Sequence, residues 1–193
     1  LTAAAVFTIL PSTTHYAHEA LSYAFVVAGV VVATLLLHLA AETGDRKMWA
    51  GYAGALVFTV LFSFLALLIL PAHAVFMWRR VPLRTAVAAW APSVAVCGLI
   101  AAWSSRQSSQ VSWIGEPTLG SLRIGLEELA GGERAALLFF SAGIALFVWM
   151  GVTRRWREWG LMFAAAASPA LLWVLSHAEP LFVPRYILFA VPL

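Results

Sequence analysis

The sequence predicts an all-α polytopic membrane protein. Three observations carry that prediction. Of the 193 residues, 62% are hydrophobic and only 11% are charged, with a mean hydropathy of +0.88. Soluble domains hold roughly 45–50% apolar and about 25% charged residues. Apolar runs of spanning length recur along the chain. The charges gather in the short polar connections, and nine Trp and 12 Phe fit a chain that meets membrane–water interfaces.

The elements follow in order. Residues 1–10 read as the end of a span and 20–41 as a second. Residues 49–78 are almost uncharged and run on to WRR. Residues 85–103, 136–152 and 160–176 are further spans, and a last one begins near Tyr186. The connections ETGDRK, RRVPLR and TRRWRE hold Arg46, Lys47, Arg79, Arg80, Arg84, Arg154, Arg155 and Arg157, which is eight of the 12 basic residues. The positive-inside rule places them in the cytoplasm. The connections PSTTHYAHE, 104–135 and SHAEPLFVPR hold six of the nine acids, and the alternation of spans puts them outside.

Parity then constrains 49–78. The loops at 42–48 and 79–84 share a side, so the chain between them crosses an even number of times. Two ordinary spans need roughly 40 residues. The expectation is a hairpin of two short helices turning near Ser63; the alternative is one long tilted span that breaks the sign rule. The outer segment 104–135 begins with turn residues, and LRIGLEELAGG follows with helical apolar spacing. It reads either as a short helix lying on the membrane surface or as a solvated loop with one helical turn.

Cys97 is the one cysteine, so there is no disulfide framework and no zinc-type cysteine cluster. The net charge of +3 does not point to nucleic acid, because the basic residues sit in loops between spans. Eleven of the 12 basic residues are Arg, which with the abundant Ala points to a GC-rich bacterial genome. The chain opens in one apolar run and closes in another, so the expectation is an internal piece of a longer protein, all of it (1–193) belonging to one transmembrane domain.

Two stretches concentrate chemistry on the outer side. In HYAHEALSYA, a helix begun by His15 would put His15, His18 and Glu19 on one face. That set suits a divalent metal, acid–base work or plain capping of an entering helix. In PLFVPRYILFAVPL, Pro180 and Pro184 hold the chain out of helix before Arg185. Arg185 there suits a phosphate, which its planar fork binds through two oxygens, or snorkels to lipid headgroups beside Tyr186 as an interface anchor. His38 and His73 read as packing residues with local hydrogen bonds.

These stretches together resemble membrane glycosyltransferases that use polyprenyl-phosphate sugars. HYAHEALSYA is similar to their "QEARSYA" segment. QVSWIGEP is similar to an outer loop of the bacterial members, and PLFVPRYILFAVP to their "P-x-F-x-x-RY…P" segment. The family is the GT-C superfamily, of the protein O-mannosyltransferase type. The resemblance implies a multi-span bundle, here with about seven to eight spanning helices, in a bacterial plasma membrane with its site on the extracytoplasmic face. It implies transfer of a mannose or other hexose or pentose from the carrier to a protein, glycan or lipid acceptor, with no strict metal requirement. Glu19 matches a supporting acid, and Arg185 and Tyr186 match a pair expected near the carrier phosphate. His15, His18 and Arg106 join them as substrate-binding residues. The family has Arg where this chain has Leu21, and its principal catalytic acid is expected upstream of residue 1. The rival class is a transporter or lipid flippase without sugar chemistry.

Overall fold

The structure, a computed structural model, describes residues 23–104, 117–153 and 159–177. Among them the secondary structure is helical, without strands. The helices are α1 (Tyr23–Thr43), α2 (Arg46–Phe62), α3 (Leu70–Met77), α4 (Leu83–Ser104), α5 (Leu119–Ala130), α6 (Glu133–Thr153) and α7 (Trp159–Leu175), with a 3-10 segment at Phe64–Ile69. Two helices, α1 and α4, are long and apolar enough to cross a membrane. A third candidate arises if the bent pair α5–α6 is one span, so the described residues contain two to three spanning helices by this measure. Six of the seven to eight expected above fall at 20–41, in the two arms of 49–78, and at 85–103, 136–152 and 160–176, where α2 and α7 have 17 residues each and the return arm 64–77 is shorter still; those expected at 1–10 and beyond Tyr186 lie outside the described residues.

The helix α1 is apolar on all sides. Val26, Val30, Ala33, Leu37 and Ala40 form its buried stripe, while Phe25, Val31, Val32 and Leu35 face outward. A helix that is apolar both inward and outward is one surrounded by hydrocarbon. Its 21 residues rise about 31 Å at 1.5 Å each, close to the apolar thickness of a bilayer. It packs on α2 through Gly29, where any Cβ would run into the Thr59 side chain. Small residues at such crossings let two backbones approach.

The chain breaks where parity asks it to. Ser63 caps α2 in an extended conformation (φ −159°, ψ 112°), its N–H still bonded to Thr59 O at 3.0 Å. The 3-10 segment leaves along the end of α2, and α3 then returns packed chiefly against α7. Tyr52 lies 11 residues before Ser63 and His73 lies ten after it, yet Tyr52 Oη and His73 Nδ1 are 2.9 Å apart. This is a hairpin whose return arm is short, Phe64–Met77.

Irregular backbone at membrane depth is tolerated only when protein covers it. Here Leu65, Ala66 and Ile69 are buried. Ser168 of α7 donates to Leu68 O at 3.2 Å, and the Cys97 thiol of α4 points at Phe64 O. Hydroxyls elsewhere in the apolar helices are satisfied within their own helix: Thr34 donates to Val30 O, Thr59 to Ala55 O, Ser141 to Leu137 O and Ser176 to Leu172 O, each at 2.7–2.8 Å.

The 104–135 segment contains a three-turn helix rather than a single turn. Thr118 caps α5: its Oγ1 accepts from Ser121 N at 3.0 Å, and its own N–H donates to Ser121 Oγ at 2.8 Å. Gly131, at φ 89°, closes the helix in the left-handed region where glycine carries no Cβ penalty. The chain then bends by 92° into α6. Arg123 braces the elbow, with Nε 2.6 Å from Glu127 Oε1 and Nη2 3.0 Å from Glu133 Oε1.

Candidate functional site

The helix ends sort the connections into two groups. At one end, Leu65 and Leu172 form a small core with Tyr23, Phe64, Leu122 and Trp173 packed on it. This brings together the start of α1, the Ser63 turn, the first turn of α5 and the last turn of α7. Trp173 Nε1 donates to Thr118 O at 3.2 Å, tying the N-cap of α5 to the last turns of α7. At the opposite end, Arg80 lies over the Phe76 ring (4.6 Å to its centroid), and Phe76 meets His38 with ring centroids 5.7 Å apart. The basic connections at 42–48 and 79–84 therefore share one end, and the start of α1, the first turn of α5 and the last turn of α7 share the other.

The six residues singled out from the sequence, His15, His18, Glu19, Arg106, Arg185 and Tyr186, lie outside the described residues. The structure reaches close to each. Tyr23 begins α1 four residues after Glu19, Ser104 ends α4 two residues before Arg106, and His177 stands eight residues before Arg185. His177 is exposed, and its Nδ1–H donates to Trp173 O at 3.0 Å. Its ring also meets Trp173 edge to face, with centroids 4.5 Å apart. Arg123 is occupied by two carboxylates, which raise its already high pKa, chiefly through the Glu127 hydrogen bond. It is thus a brace between helices rather than an open anion site. Among the described residues, no three of His, Cys, Asp and Glu are grouped to hold a metal.

A second polar cluster lies inside the bundle, and sequence reasoning found only one member of it. Trp90 Nε1–H donates to Tyr52 Oη at 2.9 Å, and Tyr52 O–H reaches His73 Nδ1 at 2.9 Å. His73 Nε2 lies 3.2 Å from Thr34 Oγ1, whose own proton goes to Val30 O at 2.8 Å. The directions fix themselves. Thr34 spends its single proton on Val30, so His73 must donate from Nε2 and accept at Nδ1. One neutral tautomer thus satisfies α4, α2, α3 and α1 in a continuous chain. Tyr52 is fully buried and His73 is 2% exposed. The signal available in the sequence was the near-equal spacing of Tyr52 and His73 about Ser63, which becomes readable once the hairpin is assumed.

No protein-family profile, curated protein or solved structure matches the chain. The described residues define a helical membrane protein whose bundle interior holds a polar chain running from Trp90 through Tyr52 and His73 to Thr34.

Proposed function

We propose that this chain is part of a membrane glycosyltransferase that moves a sugar from a polyprenyl-phosphate carrier to an acceptor at the outer face. The observation that carries the reading is the Trp173–Thr118 hydrogen bond. It joins the N-cap of α5, next in sequence after QVSWIGEP, to the last turns of α7, seven residues before PLFVPRY, so two of the three family-like motifs flank one contact in sequence. The small core under it adds Tyr23, next to the third motif, HYAHEALSYA.

The reaction proposed is an inverting displacement. A carboxylate takes the proton of an acceptor hydroxyl, the oxygen attacks the anomeric carbon, and the bond to the polyprenyl phosphate breaks with the electron pair leaving on phosphate. Charge grows on that phosphate in the transition state. Arg185 beside it would bind the transition state more tightly than the ground state, which is how a binding group accelerates a step. Glu19 serves as the supporting acid, and Tyr186, His15, His18 and Arg106 bind substrate. No metal is assigned.

The test is sugar transfer by the full-length protein in vesicles, measured against polyprenyl-phosphate-sugar concentration for the wild type, Arg185→Lys and Arg185→Ala. Lys keeps the charge and loses the planar fork, so partial recovery is expected, with Ala lower still. A snorkelling arginine predicts a silent Lys variant. Equal rates and equal donor dependence for wild type and Lys would remove the phosphate from Arg185.

A transport reading draws on the buried His73 chain, since ionisable residues within spans often line ion or substrate paths. It predicts movement of the lipid-linked sugar across the vesicle membrane without glycosyl transfer, and loss of that movement in His73→Gln.

A further inference from the structure

At the end that bears the basic connections, α1 and the α3–α4 turn flank an open-sided cavity of about 450 Å³ lined by His38, Ala41, Glu42, Phe76 and Arg80. That volume falls within the roughly 300–1,000 Å³ of small-molecule sites. Glu42 and Arg80 share the cavity but form no ion pair. Glu42 Oε1 is held by His38 Nε2 at 3.2 Å. Arg80 is positioned by stacking on Phe76, and none of the ion pairs among the described residues involves it. The cation lies over the ring, and no side-chain hydrogen bond among the described residues engages its N–H donors.

Two further features fix the setting. Arg79 has φ 62°, in the left-handed region that a non-glycine residue seldom adopts, and this sharp turn sets the Arg80 backbone N–H on Met77 O at 2.9 Å. The neighbouring Trp78 is 72% exposed, as expected of an aromatic anchor at the headgroup level.

The charges specify the ligand. A simple anion would meet Glu42 and the carbonyl end of α1, both of which repel it. A simple cation would meet Arg80. A group with both signs meets neither obstacle. We propose that the cavity binds the headgroup of a phosphatidylethanolamine lipid in the adjoining leaflet. Arg80 takes the phosphate through paired N–H donors, and Glu42 with the last α1 carbonyls takes the primary ammonium. The ammonium's three N–H donors distinguish this lipid from a choline lipid, which has none. The inference is independent of glycosyl transfer.

The test is native mass spectrometry of the delipidated full-length protein in detergent, titrated with dioleoyl-phosphatidylethanolamine or dioleoyl-phosphatidylcholine. The wild type should take up the first ethanolamine lipid at about tenfold lower concentration than the choline lipid, the ratio of one charge-assisted interaction. Glu42→Gln should bring the two lipids level, and Arg80→Ala should weaken both. Both residues are exposed, so neither variant should disturb the fold. Equal uptake of the two lipids by wild type would overturn the proposal, as would an Arg80→Ala variant that binds like wild type. Water-soluble O-phosphoethanolamine should not displace the lipid at equal concentration. If it does, the ligand is a soluble phosphoethanolamine and the lipid assignment fails.

Discussion

The Tyr52 hydroxyl lies 2.9 Å from His73 Nδ1, and the two residues belong to opposite arms of one hairpin. This contact does two jobs. It satisfies a buried imidazole, and it holds the short return arm in register with α2. It adds to the packing of the return arm on α7, where Ser168 donates to Leu68 O, a direct tie to α2.

Tyr52→Phe keeps the ring and removes the hydroxyl. It leaves His73 Nδ1 and Trp90 Nε1–H without their partner, so the expected loss is about 1–3 kcal/mol. His73→Phe leaves the Tyr52 proton unpaired at similar cost. The double variant should lose less than the sum, by roughly 0.5–2 kcal/mol, in keeping with coupling energies measured between helices in membranes. Thermal unfolding of the four proteins in one detergent checks this; strict additivity would mean that the two groups do not interact.

Gly29 faces Thr59 across the α1–α2 crossing with no space for a methyl group. Gly29→Ala should destabilise by about 1–3 kcal/mol, the usual cost of overpacking. Thr59→Ala removes the hydroxyl that blocks the new methyl, so Gly29→Ala/Thr59→Ala should recover part of the loss. Unfolding midpoints of the single and double variants decide it, and a double variant as poor as the sum would place the clash elsewhere.

The Arg123 brace is exposed, so ionic strength should loosen it more readily than pH. The guanidinium pKa is raised, so its charge and its contribution are fully present below the ordinary arginine value and are lost only above it. Spin labels at Leu119 and Leu138, both exposed, should report a broader distance distribution in Arg123→Ala or at molar salt. A distribution unchanged by both would mean that the elbow is held by backbone and packing alone.

Sidedness is open to a chemical check. With Cys97 replaced, cysteines at Thr13, Ser109 and His177 should react with an impermeant thiol reagent applied outside, while those at Thr43 and Thr153 should not. Labelling at Thr43 but not at Thr13 would reverse the orientation, and with it the face on which the proposed transfer takes place.

What the sequence determined by itself was the class of molecule, the position of the helices and the break at Ser63. Hydrocarbon imposes a length and a polarity on each run, so α1 and α4 are legible within a few residues, and charge parity required a reversal between 49 and 78. The candidate outer residues, Glu19 and Arg185 among them, were legible only as motifs and lie outside the described residues. Tertiary structure decided which polar groups pair. It gave His73 the hydroxyls of Tyr52 and Thr34, paired Arg123 with Glu127 and Glu133, and left Glu42 and Arg80 in one cavity without pairing them. The physical reason is one of range. Transfer into lipid is a property of each segment alone, whereas a hydrogen bond is decided within about an ångström by helices that the sequence places far apart.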